Sequence, residues 1–205
     1  MSSPTTFLSV DIDFFNDEDE TVLRRYLDKL TDFAHERGIP ISSVTNHQQM
    51  LDLVNNSGAT GLVNVDYHSD LASDDVKEFE CGTWVTYVEE RQKKHYHWIH
   101  SGLSHEGDCN GDKLLFSDNS DIVNQQRVGR NTGWGKVTHK RVRARKLTFP
   151  EKIAPNCVGV CVCSSPSYSS DELIEEFNKW RKGHKINHKR GRNNEFFRSA
   201  RIPPK

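Results

Sequence analysis

The chain has 205 residues, of which 34% are hydrophobic and 9% aromatic, enough for one domain with a buried core and more apolar than a disordered chain. No apolar run approaches the roughly 20 residues of a membrane helix, and the opening MSSPTTFLSV lacks the basic and apolar regions of a secretory signal, so a cytoplasmic protein with no membrane partner is expected. The net charge of −1 hides a division: residues 1–90 hold 18 acidic against 5 basic residues, while residues 91–205 hold 11 acidic against 23 basic.

The first segment, "TFLSVDIDFF" (6–15), is rich in β-branched and aromatic residues and reads as a buried strand carrying Asp11 and Asp13 near its end. Asn16 is placed to cap a helix whose first turn, "DEDE" (17–20), is acidic as the helix dipole prefers. Val22, Leu23, Tyr26, Leu27, Leu30, Phe33 and Ala34 give that helix one apolar stripe, and Gly38 and Pro40 end it. "IPISSVTN" (39–46) reads as a second strand, with His47 at its end, and "QQMLDLVNNSG" (48–58) as a second helix closed by glycine.

A third strand, "GLVNV" (61–65), runs into "NVDYHSD" (64–70), where Asp66, His68 and Asp70 occupy every second position. On an extended chain these three side chains leave one face. Beyond it, "GTWVTYVEERQ" (82–92) is compatible with a helix, "HYHWIHS" (95–101) with a strand, and residues 102–135 with long surface loops. "KVTHKRVRARKL" (136–147) suits a polar edge strand, "CVGVCVCSS" (157–165) a buried one, and "SDELIEEFNKWRKG" (170–183) a helix capped by Ser170.

Strand, helix, strand, helix, strand predicts an α/β fold, a three-layer sandwich around a mostly parallel sheet, since parallel neighbours need crossover connections. One domain is expected over residues 1–183, followed by a basic C-terminal tail, 184–205. The five cysteines (Cys81, Cys109, Cys157, Cys161, Cys163) are odd in number and form no CxxC pair, which suggests neither a disulfide framework nor a zinc ribbon. Cys157, Cys161 and Cys163 would share one face of a strand, as small core thiols or, less simply, as metal donors.

In parallel sheets ligands bind at the carboxyl ends of strands, and here those ends present Asp11 and Asp13, then His47, then Asp66, His68 and Asp70. Each cluster alone has an ordinary explanation: a strand-to-helix turn, a helix cap, a surface loop. Together they form a convergent set of oxygen and nitrogen donors without sulfur, suited to hard or borderline divalent ions such as manganese. Four carboxylates balance two such ions, and Mn2+ (two ions) is the expected cofactor. Water between paired ions is acidified enough to act as a nucleophile near neutral pH, so hydrolysis is the natural chemistry.

These motifs resemble those of the arginase and agmatinase ureohydrolases. "SVDIDFF" is similar to their Asp-x-Asp strand, "NVDYHSD" to their Asp-x-His-x-Asp strand, and "TNHQQ" to the segment with their single upstream histidine ligand. In arginases the Asp-x-Asp strand comes late; here it comes first, as in the short, rearranged arginase-like family that includes peptide arginases. The likeness covers residues 6–100 best and 157–182 loosely.

The resemblance implies a permuted, arginase-like strand order and a manganese centre held by Asp11, Asp13, His47, Asp66, His68 and Asp70. It also implies attack of a metal-held hydroxide on a guanidinium carbon, releasing urea and leaving an ornithine side chain, with Asp70 helping to pass the proton. The late arginase strand ends in a glutamate that clasps the guanidinium, whereas "VCVCSSPSY" has no carboxylate. Glu80, in "FECGTW", is the substitute by position, able to pair with a planar cation through two oxygens or to be an ordinary surface acid.

Trp84 could wall the pocket or sit in the core, and His95, His97, His100 and His105 offer proton shuttles without selecting one. The expected substrate is an arginine-containing peptide or protein, because a short chain with few lid segments leaves its pocket open to a polymer. The same donor set also suits an amide-cleaving deacetylase.

A different class of function remains open from charge. "RVGRNTGWGKVTHKRVRARK" (127–146) has no acidic residue and 179–205 has one, so these stretches are solvated faces or a surface for nucleic acid or an acidic partner. Trp134, Trp180 and Phe196 interleave with the cations, as stacking on bases would need.

Overall fold

The computed structural model describes residues 4–70, 79, 81–93, 95–101, 136–147 and 150–189. Seven parallel strands form one sheet: β1 (Thr6–Asp11), β2 (Ile41–Val44), β3 (Gly61–Val65), β4 (His95–His100), β5 (Lys136–Arg141), β6 (Cys157–Cys163) and β7 (Asn187–His188). Their order is β5-β4-β3-β1-β6-β2-β7, which puts β1 in the middle and lets every strand end point the same way. The fold is α/β, and the layers follow from the alternation of side chains.

One face, with Leu8, Val10, Val63, Val65, Ile99, Val160 and Val162, packs on α1 (Glu20–Glu36) and α5 (Asp171–Gly183). The other, with Phe7, Val44, Leu62, Tyr96, Trp98, Cys161 and Cys163, packs on α2 (Leu51–Asn56) and the 3₁₀ turn Trp84–Tyr87. Two short helices, α3 (Glu90–Lys93) and α4 (Pro150–Ile153), precede β4 and β6. Every member of the expected apolar stripe of α1 is buried. The helix ends where Gly38 turns the chain at φ 61, a left-handed backbone open to glycine without steric cost.

α1 and α5 are locked together by polar contacts across their apolar seam. Arg24 donates through Nε and Nη2 to the two oxygens of the buried Glu176, and Trp180 Nε1 donates to Thr31 Oγ1 at 2.9 Å. Ser170 caps α5, its Oγ accepting from Leu173 N, as the sequence leads one to expect.

Several boundaries differ from the sequence reading. β1 stops at Asp11 and residues Ile12–Phe15 form a 3₁₀ turn, because Asp11 accepts from Asp13 N and bends the chain out of the sheet. The cap of α1 is Asp19, which accepts from Thr21 N at 2.8 Å, so only Glu20 of the acidic run lies in the first turn. Asn16 instead binds the loop before α5, donating to Tyr168 O and accepting from Ser170 N.

The second helix begins as a 3₁₀ turn at His47–Met50, and 82–92 splits into the turn Trp84–Tyr87 and α3. The three cysteines of β6 do not share a face. The register of β6 against β1 shifts between Thr6 and Phe7, so Cys157 packs on the α1 side and Cys161 and Cys163 on the other. The expected loops at 102–135 lie outside the described residues. β7 pairs with β2 at Asn187–His188, so the sheet extends past residue 183. Among the described residues no helix is long and apolar enough to cross a membrane.

Candidate metal centre

Three neighbouring segments deliver the donors. β1 ends in Asp11, and the turn after it carries Asp13; β3 runs into Asp66, His68 and Asp70; β2 leads to His47 at the start of its 3₁₀ turn. Asp11, Asp13, His47, Asp66 and Asp70 are all buried, and His68 is the one donor with appreciable exposure, its side chain 32% accessible.

His47 Nδ1 lies 3.1 Å from Asp11 Oδ2, 3.1 Å from Asp66 Oδ2 and 2.7 Å from Asp70 Oδ2. His68 Nδ1 lies 3.3 Å from Asp13 Oδ2. Two donor groups close enough to share an ion result, His47 with Asp66 and Asp70, and His68 with Asp13 and Asp66. Asp66 belongs to both. A third grouping joins Asp11, His47 and Cys163.

The way residues 64–70 achieve this differs from the extended strand expected. Strand pairing stops at Val65, His68 N turns back to Asp66 Oδ1 at 2.9 Å, and Asp70 takes a left-handed backbone with φ 53. The turn sends Asp70 toward His47 and His68 toward Asp13. Asp66 N donates to Ile99 O, Tyr67 N to Asp13 Oδ1 and Trp98 Nε1 to Asp66 O, so the turn is tied to its neighbours on both sides.

Trp84 is fully buried, its Nε1 donating to Asp70 Oδ2 at 2.6 Å and its ring 5.3 Å from that of His47. It is a core residue that aims a carboxylate, rather than an open pocket wall. Glu80 lies outside the described residues, as does His105.

Three polar partners, Ser9, Asn64 and Ser165, escaped the sequence reading. Ser9 Oγ lies 3.2 Å from His47 Nε2, Asn64 Nδ2 donates to Asp66 Oδ2 at 3.0 Å, Ser165 Oγ donates to Asp11 Oδ2, and Cys163 lies beside Ser165. A signal for two of them was present: Ser9 and Asn64 interrupt apolar strands two residues before Asp11 and Asp66, on the same face as those aspartates. Ser165 arrives from a strand distant in sequence and had no local mark.

The electrostatics of the cluster call for positive charge. Burial pushes Asp11 well above the usual carboxylate range, with the charges of Asp13 and Asp66 adding to it. Burial, then the charge of Asp66, raises Asp13 to about 6, and burial and Asp70 raise Asp66. For His68 burial works toward the neutral ring, but the hydrogen bond of Asp13 and the charges of Asp66, Asp13 and Asp70 overcome it and bring the group to about 9. His47 is likewise raised, against burial, by Asp11, Asp66 and Asp70. Asp11, Asp13, Asp66, His47 and His68 thus hold protons more tightly than in water, as clustered buried groups of one sign require.

Cys163 is also driven toward its neutral form, by burial and then by Asp11, and its thiol lies within 3.3 Å of Thr45 O. No family model, curated protein or solved structure matches this chain.

Proposed function

We propose that the protein is a metal-dependent hydrolase of carbon–nitrogen bonds that converts arginine in a peptide or protein to ornithine with release of urea. The observation that carries the reading is the double membership of Asp66, which stands in one donor group with His47 and Asp70 and in another with His68 and Asp13. A carboxylate shared between two adjacent groups is what paired ions require. The donor set fits two hard or borderline divalent cations such as manganese, having oxygen and imidazole nitrogen and a surplus of buried negative charge.

His47 and Asp70 would hold one ion, His68 and Asp13 the other, with Asp66 between them and Asp11 beside His47. Bound there, the ions would supply Lewis acidity and an acidified water. The protein's own part is orientation: Trp84 donates to Asp70 Oδ2 and Asn64 to Asp66 Oδ2, and with ions bound the histidines would serve as neutral ligands. His68 is the partly exposed donor, and its ring has Tyr67 at 5.0 Å and the half-exposed Tyr168 at 5.4 Å. Aromatic rings beside the exposed donor would favour a planar cation such as a guanidinium.

Manganese content after loading and desalting, in the native protein and in Asp66→Ala, tests the centre; about two equivalents lost in the variant are expected. Urea release from arginine peptides then tests the reaction. Tight metal without urea from any arginine peptide, but with acetate from acetylated amines, would replace the ureohydrolase reading by a deacetylase.

A further inference from the structure

We propose that Ser165 is a positioning residue that holds the Asp11 carboxylate in place for metal, an inference that rests on the metal-centre reading above. Ser165 follows β6, at the strand end where the sequence offers no carboxylate. Its backbone is left-handed, φ 35, a region that a residue with a Cβ occupies at a cost and that recurs where structure is held for function.

The surroundings over-determine that conformation. Ser165 N donates to Thr45 O at 3.0 Å, its carbonyl accepts from Tyr168 N at 2.8 Å and Ser169 N at 3.0 Å, and its Oγ donates to Asp11 Oδ2. Both Asp11 and Ser165 are buried, so water does not substitute for that bond without entering the site.

Ser165 Oγ is the donor of this contact and Asp11 Oδ2 the acceptor, the direction that an ionised, metal-holding Asp11 requires because it has no proton to give. Cys163 Sγ lies 3.2 Å from Ser165 Oγ and donates to Thr45 O at 3.3 Å. Asp11 Oδ1 is fixed separately, accepting from Asp13 N at 3.2 Å. Asp11 Oδ2 thus meets both Ser165 Oγ and His47 Nδ1, while Oδ1 is held by the backbone of Asp13.

Glycine would adopt this φ without strain. What serine adds is the hydroxyl on Asp11, and the left-handed turn is what aims it. The hydroxyl and the strain therefore make opposite demands on stability and on metal binding, which separates a positioning role from a packing one.

The test uses the full chain with Ser165→Gly and Ser165→Ala, titrated with Mn2+ while free ion is counted by electron paramagnetic resonance, alongside thermal melts of the metal-free proteins. Ser165→Gly is expected to melt at or above the native temperature yet to bind Mn2+ about 10–100-fold more weakly, the usual effect of losing an outer partner of a ligand. Ser165→Ala is expected to share the weaker binding while retaining the strain. Native affinity in Ser165→Gly overturns the proposal, and so does weakened binding accompanied by a lower metal-free melting temperature in both variants, which assigns a packing role. If the native protein takes up no Mn2+, the metal-centre reading fails and this inference with it; metal uptake by the native protein with unchanged variants removes the role of Ser165 alone.

Discussion

His47 Nδ1 and Asp70 Oδ2 lie 2.7 Å apart, the shortest of the three approaches His47 makes to carboxylates. They meet because β2 and β3 end on the same side of the sheet and because Asp70 leaves the extended conformation. A single ring nitrogen cannot donate to three carboxylates at once, so an ion among these oxygens would relieve a repulsion that the protein alone leaves standing.

The first expectation concerns Trp84. Replacement by Phe keeps an aromatic ring in the core and removes the donor to Asp70 Oδ2. Mn2+ affinity is expected to fall about 10–100-fold while the metal-free protein stays folded. Unchanged affinity by calorimetry would show that the indole contributes packing only.

The second is a pH dependence of the metal-free protein. His68 is raised from 6.5 to about 9, so the stability it contributes is fully present below 6.5 and is lost as pH rises through 9. Asp13, raised from 3.8 to about 6, acts in the same direction over its own window. Urea denaturation is therefore expected to give falling stability between pH 6 and 9 without metal, and Mn2+ to restore it most at the upper end. Rising stability of the metal-free form over that interval would contradict the charge surplus.

A third expectation lies away from the centre, in the Arg24 and Glu176 pair. The hydrogen bond from Arg24 holds Glu176 below its ordinary 4.5, so its contribution is present above 4.5 and lost as pH falls through the lowered value. Arg24→Ala leaves a buried carboxylate without its bidentate partner. The variant is expected to melt several degrees lower at neutral pH, and the difference from the native protein is expected to shrink in acid. A difference independent of pH would mean that Arg24 acts by packing its stem.

The thiols give a fourth. Cys161 and Cys163 are fully buried and burial pushes Cys161 to about 12, whereas Cys81 is partly exposed. Alkylation of the native protein at mildly alkaline pH is expected to modify Cys81 well before Cys161 or Cys163. Mass spectrometry of the digest reads this directly; early labelling of Cys163 would mean that the β6 end opens to solvent.

Much of the fold was legible because it rests on local periodicity. The stripe of α1, the apolar β3 and β6 and the Ser170 cap are written in neighbouring residues, and alternating strands and helices select a parallel sheet. That Asp11, Asp13, His47, Asp66, His68 and Asp70 gather at one edge of the sheet was legible for a related reason, since parallel topology brings strand ends together whatever the loops do.

What sequence spacing could not supply was how the ends turn. Period-two spacing put Asp66, His68 and Asp70 on one face, but the left-handed Asp70 and the hydrogen bond from His68 N to Asp66 divide them between two donor groups. Ser165 became a partner of Asp11 only when segments far apart in the chain were packed together, and Trp84 a partner of Asp70 only once the chain between them had turned back. The sequence by itself determined which chemical groups gather at the carboxyl edge of the sheet, because strand direction and side-chain alternation are local properties of the chain. Tertiary structure alone decided which oxygen faces which nitrogen, because that depends on loop backbone angles fixed by hydrogen bonds to other strands.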